Sequence, residues 1–211
     1  FEMYPSGHNR MIEQGQPSMR SKFPNEVEPI WEVMLKEWDL DPADFKGRAR
    51  DGRRALQEQK RKLGPSRGYS YFDTMMDDEL TDYFHHTLFP NVTLTGTHDG
   101  LHLYRTEPDP FDPEWCTFDY WYMVPHIEGR TEVPTIYGMR PFAECEHETS
   151  DFKSEDAQLG IGDFLTQDLD VAVSQQNGYH SMGYEDSYLS GQETRIRRFH
   201  EVLNDYIEGR R

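Results

Sequence analysis

The stretch from Thr81 to Val124 constrains this chain most. TDYFHHTL, VTLTGT, LHLYRT and CTFDYWYMV are four runs rich in β-branched and aromatic residues, the types that suit a pleated, half-buried surface. Asp99-Gly100 lies between the second and third runs, a strong hairpin signal because both positions of such a turn need positive φ. Phe89-Pro90-Asn91 and DPFDPEW mark the other two turns. Strands joined in this way make an antiparallel meander. Side chains alternate along a strand, so Tyr83, His85 and Thr87 share one face and Phe84, His86 and Leu88 the other. One histidine of the pair therefore faces the inside of the sheet, either as a hydrogen-bonded core residue or as part of a ligand pocket. A two-residue Asp-Gly loop sets His98 opposite Leu101 and His102 opposite Thr97, which keeps those two histidines from sharing a metal.

The rest of the chain supplies helices and short strands. Phe1–Tyr4 and Asn9–Ile12 read as strands. Ile30, Trp31, Met34, Leu35 and Trp38 recur at helical spacing. Asp41-Pro42 starts a second helix, with Asp as N-cap and Pro at the first position. It runs, interrupted at Gly47 and Gly52, to the stop signal Gly64-Pro65. Residues 66–81 read as a polar connector and 125–152 as loop. Ser190-Gly-Gln-Glu193 has the form of a capping box. The helix after it presents Ile196, Phe199, Leu203, Tyr206 and Ile207 at helical spacing. The sum is an α+β fold, an antiparallel sheet with helices on one side and a long C-terminal helix.

Phe164–Gly178 reads as another helix. Ile161, Phe164, Leu165, Asp168, Val171 and Ala172 fall on one face, which places a carboxylate in an apolar stripe. A buried carboxylate must be paired, hydrogen-bonded or bound to a metal. Asp168 is therefore either a structurally partnered acid or a metal ligand or catalytic acid. Cys145-Glu-His147 looks like half of an iron–sulfur ligand pattern, but no second Cys follows it, and it reads as coincidence.

Charge narrows the function classes. The 211 residues carry 39 acids against 22 Lys and Arg, a net charge of −17. Such a chain repels phosphate backbones, so nucleic acid is not its expected partner. No apolar run reaches the roughly 20 residues of a membrane span, and no signal peptide is expected. Two cysteines fit a reduced, cytoplasmic protein. Nine basic residues fall between Lys46 and Arg67 against Asp51 and Glu58. They read as a solvated helix face or as a docking patch for an acidic partner.

YFHHTLFPNVTLTGTHDGLHLYRTEPDPFDPEWCTFDYWYM resembles the catalytic domain of the large (alpha) subunit of Rieske non-haem iron ring-hydroxylating oxygenases. Shared features are the strand ending in FPN, the hairpin after it, and the turn Arg105-Thr-Glu-Pro108-Asp-Pro-Phe-Asp112-Pro113. Gln167-Asp168, Gln176-Asn-Gly178, a Leu-Ser before Glu193 and an Arg-Ile-x-x-Phe-His helix extend the resemblance, which covers nearly the whole chain. It implies one helix-grip domain over 1–211, START/SRPBCC-like, with a curved sheet holding a substrate pocket. It further implies a mononuclear Fe(II) with Asp168 as carboxylate ligand, and a pocket lined by Tyr83, His85, Thr95 and Phe164.

The implied reaction inserts oxygen from O₂ into a small organic compound, an aromatic ring first, with alkyl amines and other small organics left open. Its electrons come from NAD(P)H through a reductase or ferredoxin, and the implied assembly is a homotrimer. The family's two histidine ligands and its [2Fe-2S] Rieske domain precede the stretch matched here. The sequence is thus expected to be the C-terminal part of a longer subunit. Rival readings are a metal-free small-molecule binder on the same architecture and an assembly subunit working through its charged surfaces.

Overall fold

The computed structural model describes residues 1–18, 25–125, 127, 129–135, 138–141, 143, 145 and 163–211. It divides into two compact units, Phe1–Gly129 with Glu193–Arg211, and Arg130–Gln192.

The first unit is built on a six-stranded antiparallel sheet in sequence order: β1 (Glu2–Met3), β2 (Asn9–Glu13), β3 (Tyr83–Leu88), β4 (Val92–Gly96), β5 (Leu101–Pro108) and β6 (Cys116–Met123). The meander of β3 to β6 stands as the alternation predicts, and β2 joins its edge with Asn9 opposite Thr87 and Met11 opposite His85. The hairpin register differs from the expected one. Gly96 pairs with Leu101 and Thr95 with His102, so Thr97–Gly100 form the loop. The Thr97 hydroxyl satisfies that loop by donating to Asp99 Oδ1 at 2.9 Å.

Two helices, α1 (Pro29–Glu37) and α2 (Asp51–Leu63), and four short 3-10 turns among the described residues pack beside the sheet. Pro29 opens α1, and Trp31 and Leu35, one turn apart, are its buried residues. Asp41 caps as expected, accepting from the Ala43 amide at 2.9 Å, but the element it starts is only the 3-10 turn Pro42–Phe45. Gly47, at φ +78°, breaks the path there, while Gly52 lies inside α2 without interrupting it. Residues 66–81 are more than a connector. Their turns carry Tyr69, Phe72 and Leu80 into one core with Trp31, Leu35, Trp38, Phe45, Leu56 and Ile127. Tyr69 stacks on Phe72 with centroids 4.8 Å apart.

The basic run faces inward to a degree its composition hides. Arg53 donates to Asp82 Oδ1 from Nε at 3.2 Å and from Nη2 at 2.8 Å, and to Asp78 at 2.7 Å. Asp82 also accepts from the Gly15 amide and the Thr81 hydroxyl. A Cβ on Gly15 would lie 2.1 Å from the Thr81 carbonyl oxygen, so only glycine permits this approach. Arg61 donates to the carbonyls of Phe72, Asp73 and Met75. Fully buried Lys60 donates to the Leu80 carbonyl at 2.8 Å and to His98 Nε2 at 2.9 Å. Burial drives the Lys60 pKa down to about 8; burial, with the Lys60 charge beside it, takes His98 down to about 4.

The C-terminal helix α4 (Thr194–Ile207) closes the other end of this unit. Val202 is fully buried, and the Phe89 ring meets Phe199 and Tyr206 at 5.3 and 5.6 Å. Ile196, Tyr206 and Ile207 are exposed, so the buried line is narrower than the apolar spacing implies. The expected capping box is displaced. Gly191–Glu193 make a 3-10 turn and Glu193 itself is the N-cap.

The second unit holds the hairpin of β7 (Glu132–Thr135) and β8 (Gly138–Pro141), in a region read as loop, and helix α3 (Asp163–Tyr179). Ile161 and His147 lie outside the described residues.

Replacing Asp82 with Ala should remove about 3 kcal/mol of stability, because it leaves Arg53 partly buried with one fewer carboxylate. Urea unfolding should show a lower midpoint at unchanged slope. A second expectation concerns pH. From pH 6.5 down to about 4 the unfolded chain takes up the His98 proton and the folded chain does not. Stability should therefore fall with pH through that window, by up to about 1.4 kcal/mol per unit. His98→Gln should remove this part of the slope in a pH series of unfolding midpoints.

Candidate functional site

Pairing in register makes a row across the sheet: Met11, His85, Thr95, His102 and Tyr122 lie side by side on one face. Two residues along, Tyr104 lies opposite Tyr120 on the same face. This face is polar and aromatic, and most of it is half-buried. His85 Nδ1 and Thr95 Oγ1 are 2.8 Å apart, and the Tyr83 ring stacks on His85 at 6.4 Å. Glu13 Oε2 is 3.6 Å from His85 Nε2. His102 Nδ1 bonds the Tyr120 hydroxyl at 2.8 Å, and its ring lies 4.6 Å from Tyr122 and 6.3 Å from Tyr104.

The electrostatics follow from burial. Desolvation lowers the pKa of both His85 and His102, so both rings are neutral near pH 7. Desolvation also raises Tyr120, and it raises Tyr122 to about 12, so these hydroxyls keep their protons. The row thus offers neutral hydrogen-bonding groups set among flat rings. Such a surface can stack a planar ligand and orient its polar atoms. Asn9 and Thr87, farther along the same face, help line an open groove of about 580 Å³ with Tyr4, Pro5, Ser6, His8, His86 and Leu88.

Three of the sequence-predicted residues, Tyr83, His85 and Thr95, come together here. The other two are on α3, in the second unit. Phe164 is in its first turn, and its side chain lies outside the described residues. Asp168 is exposed, which corrects the expectation of a buried carboxylate. The inward line of α3 runs from buried Leu165 through half-buried Leu169, Val173 and Gln176. Asp168 is one position off that line, and Val171 is 54% exposed. Two series at spacings of three and four both start from Leu165, and the apolar count favoured the wrong one.

Tyr104, Tyr120 and Tyr122 were not singled out from sequence, and His102 was weighed only with His98 for a shared metal, although the period of two on β5 and β6 puts all four on the face of His85. No group of three His, Cys, Asp or Glu side chains among the described residues is placed to hold a metal ion. The described residues therefore do not by themselves fit an iron centre.

The family model for the ring hydroxylating alpha subunit (catalytic domain) matches residues 22–209. The chain belongs to that family. No curated protein and no solved structure matches it. The sheet with its long closing helix is the helix-grip arrangement expected of this domain. Among the described residues no helix is long and apolar enough to cross a membrane.

For this ring-hydroxylating domain, histidine NMR should show His85 and His102 titrating below the ordinary 6.5. Thr95→Val should remove the bond to His85 at a cost of about 1 kcal/mol.

Proposed function

We propose that this chain is the substrate-holding part of a ring-hydroxylating oxygenase large subunit, acting on a small aromatic compound with O₂ at a mononuclear non-haem Fe(II). The observation that carries this reading is the half-buried row of His85, Thr95, His102 and Tyr122 in a chain matched by that family over residues 22–209. Tyr83, Tyr104 and Tyr122 would flank the ring, Thr95 would hold His85 in place, and neutral His85 and His102 would orient polar substituents.

Asp168, exposed on α3, is assigned as the carboxylate ligand to iron on the strength of the family match. The two histidine ligands are then taken from outside the described residues, and no reaction step is derived through the metal. Phe164, one turn before Asp168, is assigned to the substrate pocket. Electrons would come from NAD(P)H by way of a reductase or ferredoxin and a [2Fe-2S] Rieske domain, in a cytoplasmic homotrimer. A metal-free helix-grip binder is the second reading, favoured by the absence of a three-ligand cluster among the described residues.

Iron content after anaerobic Fe(II) loading decides between them. The oxygenase reading expects about one iron per chain in the wild type and a loss of most of it in Asp168→Ala. No iron in either protein would favour the metal-free binder.

A further inference from the structure

Lys60 is a buried cation with no part in the substrate reading. Its side chain is fully buried. The ammonium donates to the Leu80 carbonyl at 2.8 Å and to His98 Nε2 at 2.9 Å, and lies 5.8 Å from the centre of the Trp38 ring. None of these partners is a carboxylate. Burying a cation among neutral groups is unfavourable, so the amine releases its proton more readily than in water. Burial takes Lys60 from the ordinary 10.5 to about 8, a fall that the negative charges of Asp99 and then Glu37 limit.

His98 Nε2 faces two groups with opposite demands. An ammonium only donates, so the bond from Lys60 needs a bare Nε2 and places the imidazole proton on Nδ1. Asp99 Oδ2 is 3.6 Å from the same Nε2, and a carboxylate only accepts, so a bond to it needs the proton on Nε2. One nitrogen cannot serve both, and the charge on Lys60 decides between them. The surrounding loop keeps both partners in place. The Thr97 hydroxyl holds the other Asp99 oxygen at 2.9 Å, the Tyr71 hydroxyl donates to the His98 carbonyl at 3.1 Å, and the Phe72 ring lies 5.8 Å from the imidazole. The His98 and Asp99 side chains are 15% and 37% exposed, which gives the Lys60 proton a way out to solvent.

We propose that Lys60, His98 and Asp99 form a proton-operated latch between α2 and the β4–β5 hairpin. With the ammonium present the latch is closed, because Lys60 donates to Nε2 and ties the hairpin to α2. When Lys60 gives its proton to solvent, the imidazole proton moves from Nδ1 to Nε2 and Nε2 donates to Asp99. His98 then bonds within its own loop, and the amine keeps the Leu80 carbonyl with one of its two remaining N–H groups. The change reaches the sheet at Tyr122. A Cβ on Gly100 would lie 2.9 Å from the Tyr122 ring, so the loop backbone is packed against that residue. The groups around the latch are Glu37 and Trp38 from the end of α1, Leu80, Tyr71 and Phe72 from their turns, His102 on β5 and Tyr122 on β6. Burial raises Tyr71 and Tyr122 and lowers His102, so none of these three changes charge near pH 8, where Lys60 does. The latch is a two-state element biased by one charge, and it does not depend on the sheet face being a substrate site.

The test follows the His98 ring nitrogens of the full chain by nitrogen-15 NMR from about pH 7 to about pH 10, with His98→Gln identifying the signals. In wild type Nε2 should be bare at the low end and protonated at the high end, with a midpoint of about 8. The Tyr122 ring signals should shift with the same midpoint. Lys60→Met should carry the proton on Nε2 across the whole series. Asp99→Asn retains an oxygen for Thr97 but removes the charge that favours the ammonium, so its midpoint should fall. This second variant decides the matter even if Lys60→Met does not fold. A protonated Nε2 at pH 7 in wild type would overturn the proposal, and so would a tautomer that stays the same up to pH 10. A step that survives in Lys60→Met, or a midpoint that Asp99→Asn leaves in place or raises, would overturn it as well.

Discussion

Asp82 ties together three segments far apart in sequence. Its carboxylate takes Arg53 from α2, the Gly15 amide that follows β2, and the hydroxyl of Thr81. It stands directly before β3, so the same contact fixes where the central strands begin relative to the helical layer. The side chain is 1% exposed, and a carboxylate that far from water is tolerable only with such a set of donors. Gln57 and Lys60, about one turn apart on the same helix, bond the Thr81 hydroxyl and the Leu80 carbonyl. The 3-10 turn Asp78–Leu80 is thereby clamped along one side of α2.

This clamp has a consequence for the sheet face. Lys60 reaches past Leu80 to His98 in the β4–β5 loop, so α2 holds the hairpin as well as the start of β3. Phe72 and Tyr71 reinforce the contact, the first by its ring and the second by donating to the His98 carbonyl. The histidine and tyrosine row lies between this anchored end and the end closed by Phe89 and Val202 of α4. A rigid frame at both ends is what a face needs to present groups in fixed positions to a ligand.

The strands were legible because their signals are local. Alternation, FPN and Asp99-Gly100 each act within a few residues, and β3 to β6 appear within two residues of their expected bounds. The faces followed from the same alternation, which put Tyr83 and His85 together, while Thr95, opposite His85, was given by the family resemblance. The misreadings arose where tertiary contacts decide. Tyr69, Phe72 and Leu80 belong to a core, but turns too short to show a period carry them there. The basic run of α2 gave no sign that Arg53, Lys60 and Arg61 turn inward, because their partners lie up to 38 residues away. Asp168 was misjudged as buried because two overlapping spacings pass through Leu165, and only the packed helix shows which one is inside.

The central claim is that the row of His85, Thr95 and His102 is the floor on which the ring of a substrate lies. Side-chain NMR of the histidines and tyrosines during a toluene titration tests it most directly. The account predicts that His85, His102, Tyr104, Tyr120 and Tyr122 shift together with one dissociation constant, while exposed His200 stays still. Shifts confined to other residues, with the row unmoved, would contradict it.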